Sequence, residues 1–171
     1  MVGTRMKMAL GGALLLLAGA AASADAGGGA AQQARLNSFA EVPTLVTAGA
    51  GTFQASVDQG ADRIRFTLQF RGVSSRVQQA HIHIGRTATN GGIAAFLCSN
   101  LPGAPAGTPA CPARRGTVTG TIVPARVLGP ADQGIAAGEF DRLVRALRVG
   151  AAYVNVHTAN FTSGEIRGQI R

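Results

Sequence analysis

Arg63-Ile64-Arg65-Phe66-Thr67-Leu68-Gln69-Phe70-Arg71 decides the fold of this chain. Ile64, Phe66, Leu68 and Phe70 are apolar, and the residues between them are polar or charged. Side chains on a β-strand alternate faces with period two, so this stretch has one apolar and one wetted face. It reads as an antiparallel strand half buried against a core.

The same reading extends outward in both directions. Gly51 to Val57 places Phe53, Ala55 and Val57 on one face, and Asp58-Gln59-Gly60-Ala61 makes a hairpin loop to the next strand. Further short strands are expected at Gln79 to Ile84, Ile93 to Leu97, Gly116 to Val123, Ala152 to His157 and Gly164 to Ile170, separated by Gly and Pro signals. One segment departs from this period. Phe140, Leu143, Val144 and Leu147 follow the i, i+3, i+4, i+7 spacing of an amphipathic helix, with Arg142, Arg145 and Arg148 on its other side. Glu139 and Asp141 in the first turn and Arg148 in the last suit the helix dipole, and Gly150 suits the C-terminal cap. Seven or eight short strands and one helix in about 135 residues predict an all-β domain, a Greek-key β-sandwich with the helix before the last two strands.

The N-terminus has a different character. Arg5 and Lys7 precede an apolar run from Met8 to Ala18, and Ala22-Ser23-Ala24 fits a small-x-small cleavage site. This is the pattern of a secretory signal peptide over residues 1–24, too short in its apolar part for a membrane span. Residues 25–34, rich in Gly, Ala and Gln, are expected to form a disordered lead-in, with the domain proper at 35–171. The expected location is therefore secreted or periplasmic, with no membrane contact after the leader is removed. Taking Arg5 and Lys7 from the net charge of +8 leaves +6, carried entirely by arginine because Lys7 is the one lysine of the chain. The basic residues are scattered rather than patched, and together with the export signal this argues against a nucleic-acid partner.

Cys98 and Cys111 are the two cysteines, and in an exported protein they are expected to pair. The bond would clamp a Pro-, Gly- and Ala-rich segment and stabilise the fold by about 2–3 kcal/mol.

All three histidines fall in two strand-like runs, Ala80-His81-Ile82-His83-Ile84-Gly85 and Tyr153-Val154-Asn155-Val156-His157-Thr158. His81 and His83 share a face, and so do Tyr153, Asn155 and His157. A His-x-His pair with a third imidazole from another strand would be a three-nitrogen site for copper or zinc. The competing reading is structural, with buried imidazoles hydrogen-bonded so as to pin two strands together. Glu41, Glu165 and Arg167 are the other residues of interest. Glu165 either accepts from an imidazole N–H or, like Arg167 on the same strand face, makes a cross-strand salt bridge.

Glu41-Val42-Pro43 after an opening strand, Ala80 to Gly85 followed by Asn90-Gly91-Gly92, Tyr153 to Thr158, and Gly164-Glu165-Ile166-Arg167-Gly168-Gln169-Ile170 stand in one order along the chain. Together they resemble the CHRD domain, the module first described in chordin and also found alone in exported bacterial proteins. The resemblance runs from about Arg35 to Arg171 and implies an extracytoplasmic all-β domain without a generally accepted catalytic role. The Cys98–Cys111 insert is not part of the minimal pattern. A weaker similarity links the His-x-His strand to the copper/zinc superoxide dismutase sandwich. Three histidines are too few for that family's two-metal site, but they suffice for one metal. The sandwich is accordingly expected to be immunoglobulin-like or superoxide-dismutase-like.

No Ser/His/Asp or Cys/His nucleophile arrangement, phosphate-cradling Gly loop or hydrolytic carboxylate pair is present. The expected function is an exported, non-catalytic binding or structural module for an extracytoplasmic ligand. One alternative is a mononuclear copper protein using His81, His83 and His157, with Glu41, Tyr153, Asn155, Glu165 and Arg167 as supporting polar residues. Another is anion or polysaccharide binding by the helix arginines Arg142, Arg145 and Arg148.

Overall fold

The structure, a computed structural model, describes residues 1–3 and 31–171. Residues 4–24 of the expected leader, and the lead-in up to residue 30, lie outside the described residues. Eight strands follow in chain order: β1 (Gln32–Asn37), β2 (Ala50–Asp58), β3 (Arg63–Arg71), β4 (Val77–Ile84), β5 (Ile93–Ser99), β6 (Gly116–Ile122), β7 (Ala152–Thr158) and β8 (Ile166–Gln169). One α-helix, α1 (Phe140–Arg148), precedes the last two strands. No described helix is long and apolar enough to cross a membrane.

All eight strands belong to one antiparallel sheet in the order β5-β4-β7-β8-β1-β2-β3-β6. The edge strands β5 and β6 approach one another, so the sheet nearly closes into a barrel-like sandwich. Its interior is the apolar face expected from the alternation. Phe53, Ala55 and Val57 of β2, Ile64, Phe66, Leu68 and Phe70 of β3, and Val118 and Ile122 of β6 are all buried. A β-carbon on Gly120 would come within 2.6 Å of the Phe66 ring directly across from it. Glycine at that position therefore makes room for the phenyl group.

β1 begins inside the stretch 25–34 that was expected to be disordered lead-in. Gln32, Ala34 and Leu36 point inward and Gln33, Arg35 and Asn37 point out, and β1 pairs with β2 along its whole length. A buried glutamine at the first inward position hid the period from a reading based on hydrophobicity. Elsewhere the expected strands match the observed ones, except that β8 starts at Ile166 rather than at Gly164.

Helix α1 buries Phe140, Leu143, Val144 and Leu147 in the same core. Gly150, at φ +65°, follows its C-terminus and donates to the Leu147 carbonyl. Cys98 and Cys111 form a disulfide. Asn100 braces the enclosed loop by donating to the carbonyls of Val77 (2.9 Å) and Cys111 (3.0 Å) and accepting from the Cys111 amide (3.1 Å).

Candidate metal centre

On β4, β7 and β8 the period-two rule separates two chemistries. Ala80 and Ile82, Val154 and Val156, and Ile166 enter the core. His81 and His83, Tyr153, Asn155 and His157, and Arg167 and Gln169 therefore face away from it, on the outside of the barrel wall. The register sets His81 beside Asn155 and Asn155 beside Arg167, with His83 beside Tyr153 and Tyr153 beside Gln169. This polar face is nevertheless buried. His81, His83, Tyr153, Asn155 and Arg167 are all under a tenth exposed. Loop segments roof it, and each reaches a named group below: Glu41 over Asn155, Gly91 over His83, and Thr162 over His157.

The three histidines converge. One nitrogen of each ring lies within 4.8 Å of the other two. Ring centroids are 4.8 Å apart for His81–His157, 5.4 Å for His81–His83 and 6.0 Å for His83–His157. Their neighbours fix the tautomers, because a carbonyl oxygen only accepts. His157 Nδ1 donates to the Thr162 carbonyl (2.9 Å) and His83 Nδ1 to the Gly91 carbonyl (2.9 Å). Both rings thus carry their lone pair on Nε2. His157 Nε2 lies 3.0 Å from His81 Nδ1, so His81 donates there and its own lone pair also resides on Nε2. The Nε2 atoms of His81 and His83 are buried and have no hydrogen-bond partner.

Burial also keeps the rings neutral. It pushes His83 down to about 4, partly offset by its bond to Gly91, with electrostatic repulsion from His157 and Arg167 lowering it further. Burial drives His81 lower still, reinforced by His157 and His83. His157 is lowered as well, by burial. Three neutral imidazoles are the protonation state that ligates a metal.

Aromatic and cationic groups surround the rings. Phe96 of β5 meets His81 edge-on at 4.3 Å. Tyr153 lies parallel to His83 at 5.0 Å, and the Arg167 guanidinium caps the other side of the Tyr153 ring. Glu41 accepts from Asn155 Nδ2 at 2.8 and 3.0 Å. Burial pushes its carboxyl up to about 7, against the pull of Arg167 and a backbone bond from Val42.

The structure brings Glu41, Tyr153, Asn155 and Arg167 to the histidines and leaves Glu165 away from them. Glu165 is fully buried, but it accepts from the Ser74 amide (2.7 Å), the Ser74 hydroxyl (2.9 Å) and Thr158 Oγ1 (2.7 Å). It meets no imidazole, and among the described residues neither it nor Arg167 makes a salt bridge, which corrects both expectations. The residue precedes β8, so the strand alternation that placed it beside Arg167 does not reach it. The one ion pair among the described residues is Glu139–Arg142 (3.0 Å). Arg142 also donates to the Gly134 carbonyl (2.9 Å), while Arg145 and Arg148 are exposed.

Sequence reasoning did not identify Phe96, Ser74 or the backbone carbonyls of Gly91 and Thr162. A carbonyl leaves no trace in residue type, although Asn90-Gly91-Gly92 was legible as a turn. Comparison with protein families matches residues 32–170 to the CHRD domain. No curated protein and no solved structure matches the chain.

Proposed function

This chain belongs to the CHRD-domain family, and from that premise we propose that it is an exported, non-catalytic module that holds one copper ion on His81, His83 and His157. The observation that carries this reading is the pair of buried, unpartnered Nε2 lone pairs on His81 and His83, with a third imidazole beside them. Leaving a buried acceptor unsatisfied costs about 1–3 kcal/mol, and a cation between the rings would relieve both. Bonds near 2.0–2.1 Å would set the nitrogens about 3.4 Å apart, which asks for a small inward movement of the rings.

The donor set selects the metal class. Three imidazoles without a carboxylate disfavour calcium and magnesium, which take oxygen ligands. Copper heads the affinity order for nitrogen donors among divalent first-row metals. The buried, neutral site with Arg167 nearby favours an ion of low charge, as copper(I) is. His157 is the least buried of the three rings and gives the ion its way in and out. Export is supported by the leader-like N-terminus and by the Cys98–Cys111 disulfide.

The direct His81–His157 hydrogen bond favours a second reading, in which the imidazoles only pin β4 to β7. Copper(II) titration followed by electron paramagnetic resonance separates the two. Copper binding predicts a nitrogen-coordinated signal that saturates at one equivalent and disappears in His81→Ala. Absence of that signal in the wild-type protein, together with no binding in a copper(I) competition titration, would leave the pin.

A further inference from the structure

The outer face of β1, β2, β3 and β6 has a composition that the metal centre does not explain. Its rows are set by register. Arg35, Thr52, Gln69 and Thr117 lie side by side across the four strands, with Gln33, Gln54, Thr67 and Thr119 in the next row. Ser56, Arg65 and Thr121 follow, and Arg71 stands beyond the first row. Every side chain in the first three of these rows is a hydroxyl, an amide or a guanidinium; Ala50 lies beside Arg71, and Asp58 beside Arg63 closes the far end of the face.

The face is also hollowed. A groove of about 750 Å³ runs between Arg35, Arg71 and Arg115, floored by Thr52, Gln69 and Thr117. A second hollow of about 400 Å³ continues it along the strands past Gln54, Thr67 and Arg65. No acid lines either one. Among the described residues, Arg35, Arg65, Arg71 and Arg115 make no side-chain hydrogen bond and no ion pair. Their guanidinium forks are free for an oxyanion such as sulfate or carboxylate.

We propose that this arginine-flanked groove binds an acidic polysaccharide. Its anionic groups pair with Arg35, Arg71 and Arg115, and its hydroxyls meet the Thr and Gln side chains of the floor. Adjacent strands stand about 4.8 Å apart and alternate residues along a strand about 6.8 Å apart. That spacing separates the guanidiniums by more than one anion's width, so they would engage successive groups of a chain. The large apolar residues at the groove, Leu36, Phe66 and Phe70, are buried beneath it, so none stands out to insert into a bilayer or to stack on the bases of a single-stranded nucleic acid. Of the helix arginines, Arg142 is paired with Glu139 and lines a hollow that also holds Asp62 and Asp141, while Arg148 lines a separate hollow of about 640 Å³ with Arg86 and Arg171, without the Thr and Gln floor of the sheet groove.

The test uses the purified chain with dextran sulfate as the acidic probe and neutral dextran as the control. Calorimetry at low and at physiological salt would measure binding. The expected result is binding to dextran sulfate, weakened by salt as screening requires, with none to neutral dextran. The triple variant Arg35→Gln/Arg71→Gln/Arg115→Gln should bind at least tenfold more weakly. The corresponding triple lysine variant should recover part of that loss, and Arg145→Gln/Arg148→Gln should stay within about twofold of wild type. Circular dichroism confirms that each variant is folded. Undiminished binding by the glutamine triple, or loss confined to the helix pair, would overturn the assignment. Equal, groove-dependent binding to phosphatidylglycerol vesicles or to an oligonucleotide would also overturn it, because the face would then be a general anion surface.

Discussion

The guanidinium of Arg167 sits 3.4 Å over the ring of Tyr153, whose other face lies against His83. The same guanidinium donates to Asn90 Oδ1 (3.1 Å), the Arg86 carbonyl (3.0 Å) and the Thr89 carbonyl (2.6 Å). These partners fix the loop that carries Gly91, and the Gly91 carbonyl orients His83. Arg167 thus supports a metal-facing ring at one remove. A lysine keeps the charge but not the planar fork. Arg167→Lys is expected to lower stability by about 2–4 kcal/mol through unsatisfied buried acceptors. It should also weaken copper binding by about tenfold through a misplaced His83. Chemical denaturation and a copper(I) competition titration check the two effects.

The pH dependence of stability carries two opposed signs. The three histidines have folded pKa values below 6.5, so unfolding takes up protons as pH falls below that value, and their contribution to stability is lost on acidification. Glu41 is raised from 4.5 to about 7. It holds its proton in the folded state between those values, so its contribution is lost as pH rises through them. Near pH 5.5 the histidines outnumber the glutamate, and stability should increase with pH. Each net proton contributes about 1.4 kcal/mol per pH unit. Glu41→Gln removes the opposing group and should steepen the slope by up to one proton. Denaturation midpoints between pH 4.5 and 7.5 for both proteins measure this.

The strands and the His-x-His face were legible because alternation is a local property, and His81 and His83 needed only period two to be placed together. The third ring was not fixed that way. His157 is 76 residues from His81, and they meet because the chain returns to pair β7 with β4, which no local pattern encodes. Side also matters. The sequence shows that histidines and valines face opposite ways on β7, but not that the polar side is an outer wall roofed by loops. Glu165 was misplaced because strand periodicity was extended two residues beyond the start of β8. Gln32 was misplaced because a polar side chain occupies an inward position. In both cases hydrophobicity stood in for geometry, and the roof carbonyls of Gly91 and Thr162 had no residue-type signal at all.

The disulfide is a test of modularity. Cys98 and Cys111 close the insert that joins β5 to β6, and β5 touches the histidine rings through Phe96. Replacing both cysteines by alanine should cost about 2–3 kcal/mol, from the loop freed in the unfolded chain. That corresponds to a melting temperature lower by roughly 6–9 °C for a domain of this size. Copper affinity should stay within twofold of wild type. Calorimetry and the same copper titration read both quantities.

Gly164 occupies a position where a side chain has no room. Its φ is +127°, and a β-carbon would stand 2.7 Å from Glu41 Oε1 and overlap the Asn155 amide. Gly164→Ala must strain the backbone or push Glu41 off Asn155, with an expected cost of about 2–4 kcal/mol. Thr162, two residues earlier, orients His157 through its carbonyl, so copper affinity should fall as well. Alanine at Gly103, which also has positive φ but nothing within 4 Å of its β-carbon position, is the control. It carries the backbone penalty alone and should leave copper binding unchanged.

Copper itself should stabilise the fold, because the three nitrogens are assembled only in the folded chain. A ligand that binds the native state alone adds about 4 kcal/mol when present at a thousand times its dissociation constant. The melting temperature would then rise by more than 10 °C, at roughly 3 °C per kcal/mol. The gain should vanish with a chelator and in His157→Ala, a variant that keeps the expected disulfide and core. Without metal the same variant loses the 3.0 Å hydrogen bond to His81 and should melt a few degrees lower than wild type, a cost of about 1 kcal/mol. A purely structural trio of imidazoles would show that small loss and no response to copper. Scanning calorimetry of both proteins with and without copper therefore yields four melting temperatures, and the binding contribution is the difference between the two metal-induced shifts.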